Sequence, residues 1–258
     1  MSLIRQPGRV VRAVGRRVPR RPFRVLMPLW LWRPLSRLWL SALRADPDKR
    51  RAARELLVTY DDVYRELDLA AIAYEGGVHP KHRLTRYHDF FVERVRPGER
   101  VLDIGSGKGE LAHDLVVRAG ASVVGVDHDP THLAFARSHY VHEHLEFRAG
   151  DVLEELPDEH FDVVVMSNVL EHLGPRVDFL RRVTSSSTPR ALLIRVPLYE
   201  RDWTVPLKAE LGLRAYWDPD HETEYDEDSF RSELGEAGLD VPELLVRWGE
   251  IWAGATPR

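Results

Sequence analysis

The stretch at residues 99–109 constrains the fold of this chain more than any other. A short apolar run at 101–104 leads directly into three glycines at alternate positions, Gly105, Gly107 and Gly109. Apolar residues at helical spacing follow at once over 111–116. Because glycine tolerates positive φ and lets the backbone approach a ligand closely, such a turn can lie against a bound molecule. The stretch therefore predicts a strand, a glycine turn and a helix.

Three segments farther along the chain also predict strands, two of them mainly apolar and one alternating between apolar and charged residues, and polar residues follow each of them. These segments and their polar ends are 121–126 with Asp127, 144–149 with Gly150 and Asp151, and 161–166 with Ser167 to His172. Open α/β sheets bind ligands at the carboxyl ends of their strands, where an acid about 20 residues beyond the glycines can bind ribose hydroxyls. The G-x-G-x-G spacing differs from the glycine spacings of dinucleotide and nucleoside-triphosphate sites, which argues against both.

Four ordered motifs carry a family resemblance: Asp103-x-Gly105-x-Gly107-x-Gly109, Gly125-Val-Asp127, Gly150-Asp151 and Asn168-Val-Leu-Glu-His172. Together they resemble the class I S-adenosylmethionine-dependent methyltransferases, over about residues 85–255. The resemblance implies an α/β fold with a Rossmann-like, doubly wound, seven-stranded sheet whose last strand is antiparallel. It also implies an enzyme that uses S-adenosyl-L-methionine as its cofactor.

The resemblance further implies roles for residues at the carboxyl ends of the strands. The glycine turn approaches the methionine part of the cofactor, Asp127 binds both ribose hydroxyls, and Asp151 binds the adenine amino group. A carboxylate suits a diol because it accepts two hydrogen bonds. Asp129, which precedes a proline, is instead predicted to cap the next helix. The predicted cofactor-binding residues are Asp103, Gly105, Ser106, Gly107, Gly109, Asp127, His128, Asp151, Val152, Asn168 and Val169.

Charge is distributed unevenly along the 258 residues. Residues 1–58 hold 15 Lys and Arg against 3 Asp and Glu, a net charge of +12, while the remainder holds 22 against 38, a net charge of −16. We expect three parts: a basic, Trp- and Arg-rich arm over 1–45, a helical lid segment over 46–84, and the methyltransferase domain over 85–258. The chain has no cysteine, which excludes disulfides and cysteine-based zinc sites. Since its histidines lack close ligand spacing, we predict no metal.

The basic arm leaves two interpretations open. Its apolar run is too short to span a bilayer and is interrupted by Pro28 and Pro34. Interleaved Trp, Leu and Arg suit an interfacial segment on anionic lipids, and the alternative is an extension that is disordered or docked on the core. The acidic remainder of the chain argues against a nucleic-acid partner. We predict a cytoplasmic protein and leave open its peripheral contact with the inner face of the membrane.

The segment at 197–225, after the fifth predicted strand, has little regular pattern. Irregular segments of this length inside a compact domain are usually functional, and the resemblance implies that this insertion builds the acceptor pocket. A hydroxyl acceptor needs a base, for which we predict His221 and, as the second candidate, His172, because histidine titrates near neutral pH. The predicted substrate-binding residues are His79, His82, Trp203, Tyr216 and Trp217.

The acceptor is predicted from a more limited resemblance. The segments at 77–91 and 221–225 are similar to those of methyltransferases that accompany bacterial surface-polysaccharide synthesis. We therefore predict O-methylation of a sugar hydroxyl in a glycan or glycoconjugate. The alternatives are a quinone-like lipid or small natural product as the acceptor, and a non-catalytic, cofactor-binding partner of a glycosyltransferase.

Overall fold

The computed structural model describes residues 29–216 and 218–258. The chain divides between Leu56 and Leu57 into two compact units. Two helices begin the described part of the chain, α1 (Leu29–Ala45) and α2 (Lys49–Tyr74). No described helix is long and apolar enough to cross a membrane. The arm predicted at 1–45 is thus described only from residue 29 onward, and the division into arm, lid segment and methyltransferase domain stays a prediction.

The unit from residue 57 to residue 258 is built on a sheet of seven strands in the order β3-β2-β1-β4-β5-β7-β6. The strands are β1 (Arg100–Ile104), β2 (Ser122–Asp127), β3 (Leu145–Ala149), β4 (Val163–Ser167), β5 (Ala191–Pro197), β6 (Leu239–Arg247) and β7 (Glu250–Pro257). The first five strands are mutually parallel, and β7 runs antiparallel to both β5 and β6. This topology confirms the predicted Rossmann-like class with a reversed last strand.

Helices cover both faces of the sheet. They are α3 (Lys81–Thr85), α4 (His88–Val92), α5 (Glu110–Ala119), α6 (Pro130–His139), a 3₁₀ turn (Leu170–His172), α7 (Arg176–Ser187), α8 (Thr204–Glu210) and α9 (Glu227–Glu236). One apolar cluster joins alternate strand residues such as Leu102 and Ile194 to α7 and α9. The other joins the opposite set, such as Val101 and Leu193, to α4 and α5. Burial on both faces explains the nearly continuous apolar runs of the central strands.

Tertiary structure changes the expected picture at two elements. The N-terminal extension, predicted as helical and basic, forms α1 over its described residues, and Pro34 lies inside that helix although it was expected to interrupt the apolar run. The insertion at 197–225, predicted as irregular, contains α8, and its ends are held together because the Tyr199 amide donates to the Tyr225 carbonyl at 2.7 Å. Helix α8 has only seven residues, and a helix this short depends on tertiary packing more than on local propensity, so its sequence pattern is weak.

Close packing requires glycine at the turn between β1 and α5. Gly109 has a φ of +87°, and a Cβ built there would lie 2.5 Å from the ring of Phe147. Gly105 has a φ of +68°, and its Cβ would lie 2.6 Å from a methyl group of Val169. These contacts bring the turn against β3 and against the segment that follows β4, so three strand ends meet around it.

Candidate functional site

Asp127, the last residue of β2, holds the glycine turn in place. Its Oδ2 accepts a hydrogen bond from the Gly107 amide at 2.7 Å, and its Oδ1 accepts one from the Asp129 amide at 2.8 Å. Asp129 itself accepts from the Thr131 amide at 2.7 Å as the N-cap of α6, which confirms its predicted role. A carboxylate has further lone pairs beyond the two that the backbone uses, and these can accept from a diol.

Three buried polar atoms around the turn lack a hydrogen-bond partner in the structure. They are Oδ2 of Asp103, Oγ of Ser106 and Oδ1 of Asn168. Asp103 lies near the end of β1, next to β4. Asn168 follows β4 and has a φ of +59°, a strained conformation for a residue other than glycine. Buried polar atoms are normally paired, so an unpaired group of this kind indicates a place where a ligand binds.

Burial, reinforced by the nearby charges of Asp127 and Glu110, raises the pKa of the Asp103 carboxyl to about 8. A cation beside this carboxyl would be strongly favoured, because it would stabilise the ionised form that burial disfavours.

These residues fit S-adenosylmethionine, which carries an ammonium, a sulfonium and a ribose diol. Asp103 would face a cationic group, Asp127 the diol, and Asn168 the region near the sulfonium. Asp151 is exposed after β3 and its Oδ1 accepts from the Leu153 amide at 2.9 Å, which leaves its second oxygen for the adenine amino group. The remaining predicted positions lie on the same strand ends: His128 is exposed, Val152 is half-buried and Val169 is buried.

A cavity of about 440 Å³ lies beyond the carboxyl ends of β4 and β5. Asn168 belongs both to this cavity and to the strand ends of the cofactor site. Most of the lining is polar or charged: Tyr64, Asp68, His79, Lys81, Thr85, Asn168, His172, Arg195, Pro197, Arg201, Asp218, His221, Trp248, Gly249 and Glu250. The cavity is thus lined by residues of α2, of the segment at 79–85 that includes α3, of the insertion and of the β6–β7 turn, besides the ends of β4 and β5.

His221 is buried in the cavity wall and held by a carboxylate. Its Nδ1 lies 2.9 Å from Oε1 of Glu224, and Oε2 of Glu224 is ion-paired with Arg201. The His221 ring packs edge-on against His172, with 4.7 Å between ring centroids. Burial lowers the pKa of His172, and the charge of His221 lowers it further. A histidine held by a carboxylate at one nitrogen has a fixed tautomer and can take a proton at the other.

Backbone hydrogen bonds explain how two distant histidines meet. The amides of Glu222 and Thr223 both donate to the Glu171 carbonyl, at 2.7 and 3.2 Å, and dock the insertion onto the 3₁₀ turn after β4. The Glu171 carboxylate is fully buried and neither of its oxygens has a partner, so burial raises its pKa to about 8.

Glu171, His172 and His221 also have the composition of a cation site. Each offers one ligand atom, and these atoms lie within 4.8 Å of one another. Two imidazoles and a carboxylate are a donor set that zinc accepts. That the protein holds no metal remains a prediction. It was based on the spacing of histidines along the sequence, and His172 and His221 lie 49 positions apart in the chain.

The structure separates the predicted substrate residues. His79 lines the cavity, with its Nε2 3.3 Å from Asp68. His82 faces a different cavity with His88 and Arg118, and burial lowers its pKa to about 3. Trp203 is exposed at the start of α8, and Tyr216 lines a neighbouring cavity with Tyr199. Trp217 lies outside the described residues.

Sequence reasoning missed the ion pair at the floor of the cavity. Arg195 on β5 is buried and donates to Oε2 of Glu250 at 2.7 Å and to Ser167 Oγ at 3.1 Å. Its guanidinium also stacks on the Tyr87 ring, 4.1 Å from the centroid. One arginine inside an otherwise apolar strand was the available signal, because such a charge is seldom buried unpaired.

Comparisons with known proteins agree with this geometry. Residues 102–194 match the family model described as a methyltransferase domain. The ubiquinone biosynthesis O-methyltransferase of Azorhizobium caulinodans is 34% identical over 174 residues, which cover 62% of this chain and 67% of that protein. The protein of the same name from Bradyrhizobium diazoefficiens is 39% identical over 108 residues, 41% of this chain and 42% of that protein.

Solved structures agree in fold. A TehB-like S-adenosylmethionine-dependent methyltransferase from Corynebacterium glutamicum aligns with a TM-score of 0.51 at 15% identity, over 78% of this chain and 98% of that chain. A structure described as a complex between the Haloferax volcanii Trm112 methyltransferase activator and the putative methyltransferase aligns with a TM-score of 0.59 at 19% identity, over 73% of this chain and 96% of that chain. The sheet order, the strand-end residues and these relatives lead to one conclusion. The chain is an enzyme that uses S-adenosylmethionine, and it belongs to the class I S-adenosylmethionine-dependent methyltransferases.

Proposed function

We propose that this methyltransferase O-methylates a phenolic hydroxyl on a quinone-like acceptor. The observation that carries the proposal is the buried His221–Glu224 pair in the wall of the cavity next to Asn168. The names of the relatives, ubiquinone biosynthesis O-methyltransferase, support a ring of this class. Because the chain spans 67% of one of those relatives and 42% of the other, their substrate is a proposal for this chain and nothing more.

The proposed mechanism divides the chemistry between cofactor and protein. When bound, S-adenosylmethionine supplies an electrophilic methyl carbon. Nε2 of His221 takes the proton of the acceptor hydroxyl, whose pKa in a phenol is about 10, and the Glu224 carboxylate stabilises the imidazolium that results. Arg201 forms an ion pair with the other oxygen of Glu224 and so holds this carboxylate in place. The insertion and α2 line the same cavity and exclude water from the reacting atoms.

A sugar hydroxyl is the second candidate. Charged and hydrogen-bonding side chains make up most of the cavity lining, including the Arg195–Glu250 pair, and a polyol would satisfy more of them than a plain ring would. Tyr64 and Trp248, in contrast, offer flat surfaces to an aromatic acceptor. A sugar and an aromatic ring would therefore contact different residues of the same cavity.

The test uses labelled methyl donor with two acceptor sets, prenylated catechols and methyl glycosides. We expect transfer to the catechols, and a His221→Ala variant that loses about 10²-fold or more in kcat, because general-base catalysis contributes on that order. Cofactor affinity should stay within twofold in calorimetry. His142→Ala is the matched control, since His142 is exposed between α6 and β3.

Three outcomes would contradict parts of the proposal. Transfer only to the glycosides would replace the phenolic acceptor by a sugar. A His221→Ala rate within threefold of the wild-type rate would remove His221 as the base and turn attention to His172→Ala. Cofactor binding without turnover on either acceptor set would mean that the acceptor belongs to neither class.

A further inference from the structure

Helix α1 is amphipathic, and its charged face carries one sign of charge only. Arg33, Arg37 and Arg44 are its charged residues, and no acidic residue lies anywhere in the helix. At 3.6 residues per turn these three arginines fall within about 40° of one another around the helix axis. All three are exposed.

The opposite face of α1 is apolar and uncovered. Leu35, Leu38 and Trp39 lie there, with 46%, 69% and 41% of their surface exposed. The side of the helix that carries Arg37 and Arg44 does have neighbours within the same unit. There the two arginines, with Leu40 and Leu43, line a groove with residues of α2 such as Ala53 and Leu56. The outward apolar face therefore remains without a partner among the described residues of its own unit, and three large side chains there are costly to leave in water.

The residues that precede α1 in the chain extend the same charge pattern. Residues 1–45 contain 11 arginines and neither Asp nor Glu, whereas the chain as a whole has a net charge of −4. A surface that binds this segment must accept apolar side chains, and it must also be negatively charged so that it attracts the arginines. Tryptophan suits the depth of lipid headgroups, and Trp30 and Trp32 at the start of the helix are also exposed.

We propose that α1 docks on an anionic lipid membrane, with Leu35, Leu38 and Trp39 in the interface and the arginines against lipid headgroups. The helix does not span the bilayer, because it has 17 residues with three arginines among them. A nucleic acid would satisfy the arginines but would leave the apolar face exposed. Charge complementarity together with this face therefore favours lipid as the occupant.

The experiment is flotation of the full chain with vesicles of phosphatidylcholine alone or with about 30 mol% phosphatidylglycerol. Each arginine near an anionic surface contributes about 1 kcal/mol, so Arg33→Glu with Arg37→Glu should lower the partition coefficient at least about tenfold. Leu35→Gln, Leu38→Gln and Trp39→Gln together should lower it by a similar factor, because they remove the apolar insertion. Binding should require phosphatidylglycerol and weaken in high salt.

Matched controls use exposed residues of the unit at 57–258. Arg96→Glu with Arg231→Glu tests charge, and Val117→Gln with Val141→Gln tests exposed apolar area. Both should stay within twofold of the wild-type partition coefficient, and calorimetry with S-adenosylhomocysteine should show that every variant is folded.

Three results would overturn the proposal. The first is a wild-type chain that stays unbound at low salt. The second is an apolar triple variant that binds vesicles as the wild type does, and the third is a chain that binds a DNA duplex more tightly than it binds vesicles. Either of the last two would indicate a polyanion partner and no membrane insertion.

Discussion

Two acids two residues apart, Asp127 and Asp129, have different roles because they face different backbone amides. Asp127 holds the glycine turn and retains lone pairs toward the strand ends, whereas Asp129 caps α6. Asp127→Ala should weaken S-adenosylmethionine binding by about 1.5–3 kcal/mol, since a charge-assisted acceptor is lost. Asp129→Ala should lower the free energy of unfolding by about 1 kcal/mol and leave cofactor affinity unchanged. Calorimetry and urea denaturation separate the two effects, and equal affinities for both variants would remove Asp127 from the cofactor site.

Asp103 predicts a specific dependence of stability on pH. Its pKa is raised to about 8 in the folded protein and is near 3.8 when the group is exposed, so between these values the folded state holds one proton more than the unfolded state. The free energy of unfolding should therefore fall as pH rises through this window, by up to about 1.4 kcal/mol per pH unit from this group.

Asp103→Asn should flatten that slope by the contribution of one proton. Glu171, whose pKa is also raised to about 8, is present in both proteins, so the difference between them isolates Asp103. Urea denaturation from pH 5 to pH 8.5 measures it. Identical slopes for the two proteins would mean that Asp103 is ionised throughout.

At the scale of elements, an ion pair between a buried lysine and a half-buried aspartate joins α2 to the insertion. Nζ of Lys208 on α8 is buried and lies 2.6 Å from Oδ1 of Asp61 on α2. Removing one partner leaves the other charge buried and unpaired, which costs more than the pair itself contributes. This pair helps to set where the insertion lies over the cavity.

Asp61→Asn should therefore destabilise the protein by about 1–3 kcal/mol and raise KM for the acceptor more than it lowers kcat. Its neighbour Asp62, which is exposed and forms an ion pair with exposed Arg65, provides the control. Asp62→Asn should change stability by less than about 0.5 kcal/mol. Equal effects of the two substitutions would show that the α2–α8 pair does not position the insertion.

At the scale of the whole molecule, the proposed cofactor residues all lie between Asp103 and Val169, within the unit at 57–258. A variant that lacks residues 1–44 should therefore bind S-adenosylhomocysteine with unchanged affinity in calorimetry. A loss of more than fivefold in a folded variant would show that the N-terminal segment contributes to the cofactor site. The same comparison keeps the membrane proposal for α1 separate from catalysis.

The sequence by itself determined the sheet and the cofactor half of the site. β2 and β4 are almost continuous apolar runs, and each proposed ligand group lies near the end of its own strand or just after it, so the local order along the chain already predicts its place at the sheet edge. The positions of Asp127 and Gly107 could be predicted from that order alone, and the structure adds the hydrogen bond between them.

Only the tertiary structure decided the acceptor half. His221 reaches His172 because backbone amides of the insertion dock on Glu171, and Arg195 meets Glu250 because β7 pairs with β5. These contacts join residues about 50 positions apart, and burial of charged groups, which no local pattern encodes, holds them together. The exposed apolar face of α1 could likewise be recognised only from the structure, because the sequence of this segment is equally compatible with a segment docked on the core.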